Sequence, residues 1–351
     1  MTANLVSIVI PNWNGRKFLV TCLDSLLTQT YKDIEIIIVD NGSTDGSLEF
    51  LAANYPQVRV IPLKENTGFS FAVNRGIEAS TGNFVALVNN DTKADEHWLE
   101  LMMLALTNHT EAGSAACKML SLDNPKIIDG AGDGLRRGGL PGRIGHGQLD
   151  VGQFDNERYV LGACGGAVLY RKAMLDYIGL FDEDFFAYLE DVDIALRGQS
   201  AGYKCIYTPK AIMYHLGCGS TGSGYSKFVV RLSCCNNINV LVKNIPLSLL
   251  FEFLPQIVFW QSYYFAAVVV RGGSILAWLE GIGKAITLLP KMLKKRDSIN
   301  RRRKLSIHAL KEAIVSSEEE LEKARLLLHK QIKENKFSQE SEIVGLKTSI
   351  K

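Results

Sequence analysis

The chain has 351 residues, 47% hydrophobic and 22% charged, with a net charge of +2. That length accommodates one large domain with an extension or two domains, and the apolar fraction supports a sizeable core. So balanced a charge gives no whole-chain affinity for nucleic acid. The seven cysteines include no C-x-x-C pair and no zinc spacing, so they read as reduced packing residues of a cytosolic protein. The opening MTANLVSIVIPNWNG lacks a basic stretch ahead of a long apolar run and reads as a strand, not a signal peptide.

In chain order, strands are expected at Val6–Ile10, Ile34–Val39, Val58–Ile61, Phe84–Val88 and Ser114–Met119. Helices are expected between them at Arg16–Leu27, Ser47–Asn54, Phe69–Ala79 and Ala94–Leu106. The strand runs are continuously apolar and β-branched, the pattern of a mostly parallel sheet covered by helices on both faces. The βαβα order implies an open α/β sheet. Residues 121–158 are rich in Gly and Asp, lack periodicity and read as a long loop. Val160–Tyr170 reads as a strand interrupted by small residues, Ala187–Gly198 as a helix and Lys204–His215 as a further strand. From about residue 245 the chain is apolar and aromatic but interrupted by polar residues, with no clean run of the roughly 20 residues needed to span a bilayer. The segment 291–304 then carries eight Lys/Arg and one Asp. Apolar, aromatic and basic stretches in that order suggest helices lying in a membrane interface, although a helical subdomain packed on the sheet is the plainer alternative. Ser316-Ser317 ahead of Glu318–Glu320 look like the start of a polar helix reaching about Asn335. It offers a surface for self-association but is too short to establish a coiled coil. The expected division is residues 1–240, 241–304 and 305–351.

Ligands of open α/β sheets bind beyond the carboxyl ends of the strands. Four such ends carry Asn, Asp and Gly together: Pro11-Asn12-Trp13-Asn14-Gly15, Asp40-Asn41-Gly42, Asn66-Thr67-Gly68 and Asn89-Asn90-Asp91. One alone is ordinary turn chemistry; four on one edge imply a polar crevice. The chain has no G-x-G-x-x-G after its first strand, no P-loop and no G-x-S-x-G, which disfavours nicotinamide enzymes, P-loop nucleotidases and serine hydrolases. A carboxylate at Asp40 can accept from a base imide or a ribose hydroxyl, or merely close an Asx turn. Asp91 can serve as the single carboxylate of a Mg2+ or Mn2+ site completed by substrate phosphates, or cap the next helix. His215 ends a strand before a Gly/Ser-rich stretch, suiting a phosphate or metal contact or a packed histidine. Glu190-Asp191, after the aromatic run Phe185-Phe186-Ala187-Tyr188, can take a proton from an attacking hydroxyl or simply favour a helix N-terminus.

The segments VSIVIPNWNG, IEIIIVDNGSTDGS, ENTGFSFAVNRGI, VALVNNDT, GACGGAVLYRK and FAYLEDVDIALRGQSAGYK, in this order over roughly residues 5–220, resemble the family 2 glycosyltransferases. The likeness is strongest to the branch that uses dTDP-rhamnose. The resemblance implies the GT-A fold and inverting transfer of a sugar, L-rhamnose by preference, from a dTDP- or UDP-linked donor to a lipid-linked or glycan acceptor. It implies cell-envelope glycan synthesis at the inner face of the membrane. It also implies residue roles. Asp40 would contact the base, and Pro11, Asn12, Asn66, Gly68 and Asn74 would shape the nucleotide pocket. Asn89-Asn90-Asp91 stands where the family keeps Asp-x-Asp, with Asp91 the metal ligand and Asn89 a departure. Asp191 would be the general base, Glu190 would orient the acceptor, Gly165 and Gly166 would make room for it, and His215 would help hold metal or diphosphate. A sugar-1-phosphate nucleotidyltransferase and a membrane-associated binding subunit without turnover are the competing readings. The first lacks its Gly-rich basic loop after the first strand. The second is favoured by Asn89 and opposed by Glu190-Asp191.

Overall fold

The computed structural model describes residues 4–217 and 225–348, the last fourteen by their helical backbone alone. In chain order the strands are β1 (Val6–Asn12), β2 (Ile34–Asn41), β3 (Arg59–Leu63), β4 (Phe84–Val88), β5 (Thr92–Ala94), β6 (Ala112–Ser121), β7 (Ile128–Gly130), β8 (Asp133–Leu135), β9 (Pro141–Arg143), β10 (Arg158–Val160), β11 (Ala167–Arg171) and β12 (Lys204–His215). The helices are α1 (Arg16–Leu27), α2 (Ser47–Asn54), α3 (Phe69–Ala79), α4 (Trp98–Asn108), α5 (Lys172–Ile178), α6 (Glu190–Ser200), α7 (Lys227–Asn244), α8 (Leu247–Glu252), α9 (Leu254–Val270), α10 (Ile275–Arg302) and α11 (Ile307–Thr348).

The main sheet runs β10-β12-β6-β11-β4-β1-β2-β3. Its β4-β1-β2-β3 wing is parallel, β6 and β12 are parallel, and β11 lies antiparallel between β4 and β6. Successive side chains of a strand face opposite sides, and here both sides are apolar. Val6, Ile8 and Ile10 join Ile36, Ile38, Ala86 and Val88 under α1 and α4, while Val9, Val85 and Leu87 meet Val73 and Ile77 of α3 on the other face. The chain therefore forms the expected α/β architecture, a mostly parallel central sheet covered on both faces. Because β1 pairs with β2 on one side and β4 on the other, their carboxyl ends flank a topological switch point, where a crevice opens.

Four expectations change. Residues 121–158 are not a structureless loop: they hold β7, β8 and β9, each three residues long, too short to show a period. Turns with positive φ at Gly132, Gly139, Gly145 and Gly147 punctuate them. Val160–Tyr170 is two strands, β10 and β11, separated by Leu161–Gly166. Ala94 ends the strand β5, which pairs with β12, and α4 starts only at Trp98. Asp91 and Thr92 therefore cap no helix. The last helix begins at Ile307, with the Ser306 hydroxyl accepting from Ala309 N–H. Ser317 lies inside it and accepts instead from Leu135 N–H of β8.

After β12, α7 packs against α10, and an apolar cluster from Leu135 and Val192 to Val240, Phe253 and Leu310 ties these helices to α6 and β8. No helix among the described residues is long and apolar enough to cross a membrane. The outward row Phe251, Leu254, Val258, Phe259 and Tyr263 is nevertheless exposed. Part of the basic segment turns inward: Lys291 pairs with Asp184, and Lys295 with Asp182 and Asp184.

Candidate active site

The crevice floor is a chain of side-chain amides. Asn90 Nδ2 donates to Asn12 Oδ1 at 2.7 Å, and Asn12 Nδ2 donates to Asp40 Oδ1 at 2.9 Å. Asp40 Oδ2 accepts from Ser43 N–H at 3.0 Å. Asp40 is 0% exposed, so it presents no oxygen at the surface and acts on the crevice through Asn12 and Ser43. Gly15 is required here, because a Cβ would sit 2.0 Å from Asn90 Nδ2. One strand over, Asn41 does what no sequence signal singled out. Its amide donates to Asn66 Oδ1 and Gly68 O, both at 3.1 Å, and accepts from Thr67 N–H and hydroxyl, both at 2.9 Å. The Asn66-Thr67-Gly68 loop is thereby fixed. Pro11 lies in β1 beside Val39. Asn74 is placed elsewhere than expected. It clamps Phe181 through both N–H and carbonyl and donates to Glu183 at 3.0 Å, so it shapes the crevice only by holding that segment.

Asp91 and His215 converge beyond β4 and β12, with His215 Nε2 at 3.4 Å from Asp91 Oδ1. His215 Nδ1 lies 2.8 Å from Asp129 Oδ2, and Arg143 donates to the same oxygen at 2.7 Å. Burial lowers the basicity of His215, but the two carboxylates outweigh it and hold its pKa at about 9. Burial likewise opposes ionisation of Asp129, and His146, His215 and Arg143 overcome it, holding the carboxyl well below the usual range. A carboxylate that orients a histidine through its far nitrogen is the recurring second partner of metal-binding histidines. Asp91 and a neutral His215, with Asp129 behind the histidine, would offer two protein ligand atoms to a divalent cation. The Gly/Ser-rich sequel of His215 lies, from Cys218 to Gly224, outside the described residues.

A second acidic group faces it from α6 and β8. Asp191 accepts from Val192 N–H at 2.8 Å and Gly165 N–H at 3.3 Å. Gly166 faces Asn89: a Cβ there would stand 2.9 Å from Asn89 Nδ2. The ligand atoms of Asp133, Cys164 and Asp191 all lie within 4.8 Å of one another. Burial raises the Cys164 thiol above its ordinary value, so the two carboxyls are the ionisable pair of this cluster. Asp133 Oδ1 is buried without a hydrogen-bond partner. Burial, then the Asp191 charge, push Asp133 up to about 8. Glu190 is buried with Oε2 unpartnered, and burial followed by Asp191 raises its pKa well above the ordinary value. Asp133 and Glu190 are thus both held toward their neutral forms beside Asp191.

The turn that delivers this group is strained. Phe186, Tyr188 and Leu189 all have positive φ, a costly state for bulky residues. Asn236 of α7 holds it by donating to the carbonyls of Phe185, Ala187 and Tyr188 at 2.9, 3.0 and 2.8 Å. Phe186 in turn lies against Gly68, where a Cβ would meet its ring at 2.7 Å. Behind the turn, Lys243 bridges Asp182 and Asp193. Asp129, Asp133 and Arg143 lay in the aperiodic Gly/Asp stretch and Asn236 in a helix of mixed polarity, so only the repeated acids of that stretch were visible as a signal.

The sequence model for "Glycosyl transferase family 2" matches residues 7–179. Over 105 residues the chain is 43% identical to the "Uncharacterized glycosyltransferase YibD" of Escherichia coli (strain K12), covering 29% of this chain and 30% of that protein. Over 222 residues it is 28% identical to the "N-acetylglucosaminyl-diphospho-decaprenol L-rhamnosyltransferase" of Mycobacterium tuberculosis (strain ATCC 25618 / H37Rv), covering 57% of this chain and 72% of that one. The first of these matches thus spans under a third of its relative. Among solved structures, "GalNAc-T7 with UDP, GalNAc and Mn2+" superposes with a TM-score of 0.57 at 16% identity, over 69% of this chain and 48% of that one, a likeness of fold. With the crevice at the switch point, the matched segment and these relatives, the chain belongs to the family 2 glycosyltransferases and has a GT-A-type fold.

Proposed function

We propose that the protein transfers a sugar from a nucleoside-diphosphate donor to a hydroxyl of a lipid-linked or glycan acceptor, with inversion at the anomeric carbon. The observation that carries this reading is the carboxylate of Asp191, tethered by Gly165 N–H and flanked by the neutral carboxyls of Asp133 and Glu190. A carboxyl side chain held at the start of α6 beside Gly165, with two further buried carboxyls next to it, is placed to take one proton. Asp191 removes the proton of the acceptor hydroxyl; the oxygen forms a bond to the anomeric carbon as the bond to the nucleoside diphosphate breaks on the opposite face. Glu190 orients the acceptor, with space left at Gly165 and Gly166. Pro11, Asn12, Asn66, Gly68, Asn89 and Asn90 line the nucleotide side, with Asp40 fixing Asn12.

Asp91 and His215 would hold a divalent cation, Mg2+ or Mn2+, which supplies positive charge against the leaving diphosphate. The rhamnosyltransferase relative supports L-rhamnose as the transferred sugar; a dTDP donor and a role in envelope polysaccharide synthesis complete the proposal. The exposed apolar row on α8 and α9, next to a partly free basic segment, supports a peripheral seat on a membrane surface, on the cytoplasmic side. The division at residues 240 and 304 follows function: crevice, apolar helices, then the helix that braces β8, although α7 runs across the first boundary.

The test is a thermal-shift screen of nucleotide sugars with and without Mn2+. Stabilisation by dTDP-rhamnose, enhanced by Mn2+, is expected. Equal nucleotide affinity with and without the metal would remove the cation from the scheme, and pyrophosphate release from a sugar phosphate would replace transfer by nucleotidyl chemistry.

A further inference from the structure

Between the β8–β9 connection and helices α7 and α9 lies a cavity of about 610 Å³, with Arg136, Asn237, Phe259, Trp260 and Tyr263 in its wall. None of its lining residues carries a role in the proposed transfer. Its charges do not balance. Arg137 pairs with Glu318 and Arg325 with Glu322, and Glu318 also accepts from Trp260 Nε1. That leaves Arg136, whose guanidinium makes no hydrogen bond or ion pair among the described residues and stacks on the Trp260 ring, 4.8 Å from its centroid. A half-buried cation without an anion of its own is a costly arrangement, and the surplus is one positive charge. The cavity also lacks a hydrogen-bond donor. Asn237 is 2% exposed, yet its Oδ1 accepts from no group. The mouth is apolar and faces outward. Phe259 and Tyr263 line the cavity and are 61% and 56% exposed. They continue the row of residues 251, 254 and 258, which follows the three-to-four spacing of one helical face. One anionic group, one hydroxyl donor and an apolar exit describe an amphiphile.

We propose that this cavity seats the head group of one anionic phospholipid of the phosphatidylglycerol type, drawn from the membrane on which the protein sits. The phosphodiester meets the Arg136 guanidinium, a head-group hydroxyl donates to Asn237 Oδ1, and the acyl chains leave along Phe259 and Tyr263 onto the apolar row. A zwitterionic head group brings its own cation and leaves the charge of Arg136 uncompensated. Free glycerol phosphate offers the same anion and hydroxyls but nothing for the apolar exit. The inference rests on the peripheral membrane seat proposed above and adds the lipid and the side chain that selects it. It does not depend on which sugar is transferred or to what.

The experiment has two arms, both on the full chain. In calorimetry, monomeric dihexanoyl phosphatidylglycerol should bind about tenfold more tightly than dihexanoyl phosphatidylcholine or glycerol phosphate, the worth of one charged hydrogen bond or of a short buried chain. Arg136→Gln should lose about tenfold of that affinity, whereas Arg136→Lys, which keeps the charge, should retain most of it at an unchanged unfolding midpoint. In sedimentation with phosphatidylglycerol vesicles, Arg136→Gln should weaken binding more than Lys294→Gln, which removes the same charge from an exposed position on α10. Phosphatidylcholine or glycerol phosphate matching phosphatidylglycerol overturns the proposal, as does equal binding by wild type and Arg136→Gln. Vesicle binding that falls equally in Arg136→Gln and Lys294→Gln overturns the site and leaves the membrane seat standing, held by diffuse charge. Absence of vesicle binding beside tight binding of the short-chain lipid removes the membrane seat and keeps the site.

Discussion

The two walls of the crevice, the proposed donor side and the proposed acceptor side, are built on opposite terms. On the donor side, between β1, β2 and β4, the buried polar groups satisfy one another: Asn90 to Asn12 to Asp40 to Ser43, and Asn41 to its three loop neighbours. On the acceptor side, at α6, β8 and α7, Glu190 Oε2, Asp133 Oδ1 and Asn237 Oδ1 are buried without partners, and the turn at 186–189 is strained. Buried polar groups are almost always paired. The difference teaches that the donor wall is finished before any ligand arrives, while the acceptor wall carries unmet hydrogen-bonding capacity and pays for it in stability.

That contrast can be broken by substitution, and the largest effect is expected at Asp191. Asp191→Asn should lower kcat by about 10²–10⁴-fold, the ordinary worth of a positioned base, with nucleotide affinity intact. Steady-state turnover beside nucleotide calorimetry checks it, and unchanged turnover would remove Asp191 from the reaction. Next, Asp129→Asn should weaken Mn2+ binding by about 10–100-fold through loss of the carboxylate that orients His215. Titration of Mn2+ by its paramagnetic resonance signal reads this directly, without activity. Asn236→Ala should cost about 3 kcal/mol, since three carbonyls of a strained turn lose their donor at once. Urea unfolding measures it, and a loss no larger than that of an exposed Asn→Ala control would show that the turn holds itself.

One effect should be a gain. Folding raises the pKa of Asp133 to about 8, against about 3.9 in an unfolded chain. Between those values the folded protein holds a proton that the unfolded chain has released, so stability falls as pH rises through that window. Asp133→Asn should remove the slope, leaving the variant more stable than wild type at pH 7.5 and equal to it near pH 4. Parallel urea midpoints at both pH values would break the claim that the acceptor wall is built at a stability cost.

What the sequence disclosed follows the same division. The β-branched runs and the Asn/Asp/Gly groups after Ile10, Val39, Ile61 and Val88 mark the donor wall, because parallel strands and their turns have strong local signatures. Asp191 was visible as an acid pair at a helix start. Asp129, Asp133 and Arg143 were not, because strands of three residues show no period and their roles arise from tertiary contacts, as between Asp129 and His215 at a separation of 86. Asn74 misled for the converse reason: a polar residue on a helix beside the crevice turned its amide toward Phe181. Asn236 is one of four asparagines in α7, where nothing local distinguishes a backbone clamp from a packed amide.

The grip of α11 on the β8–β9 lobe sets an order of events. Leu135 N–H bonds to Ser317 Oγ, Gln148 to the Ala324 carbonyl and Leu149 N–H to Gln331, each across some 180 residues of chain. Contacts so distant in sequence form late in folding. The parallel wing and its amide floor can close while the chain is still being made, but the lobe bearing Asp129 and Asp133 is locked only after residue 331 has emerged. A chain without α11 would therefore leave the lobe that carries Asp133 without these three anchors.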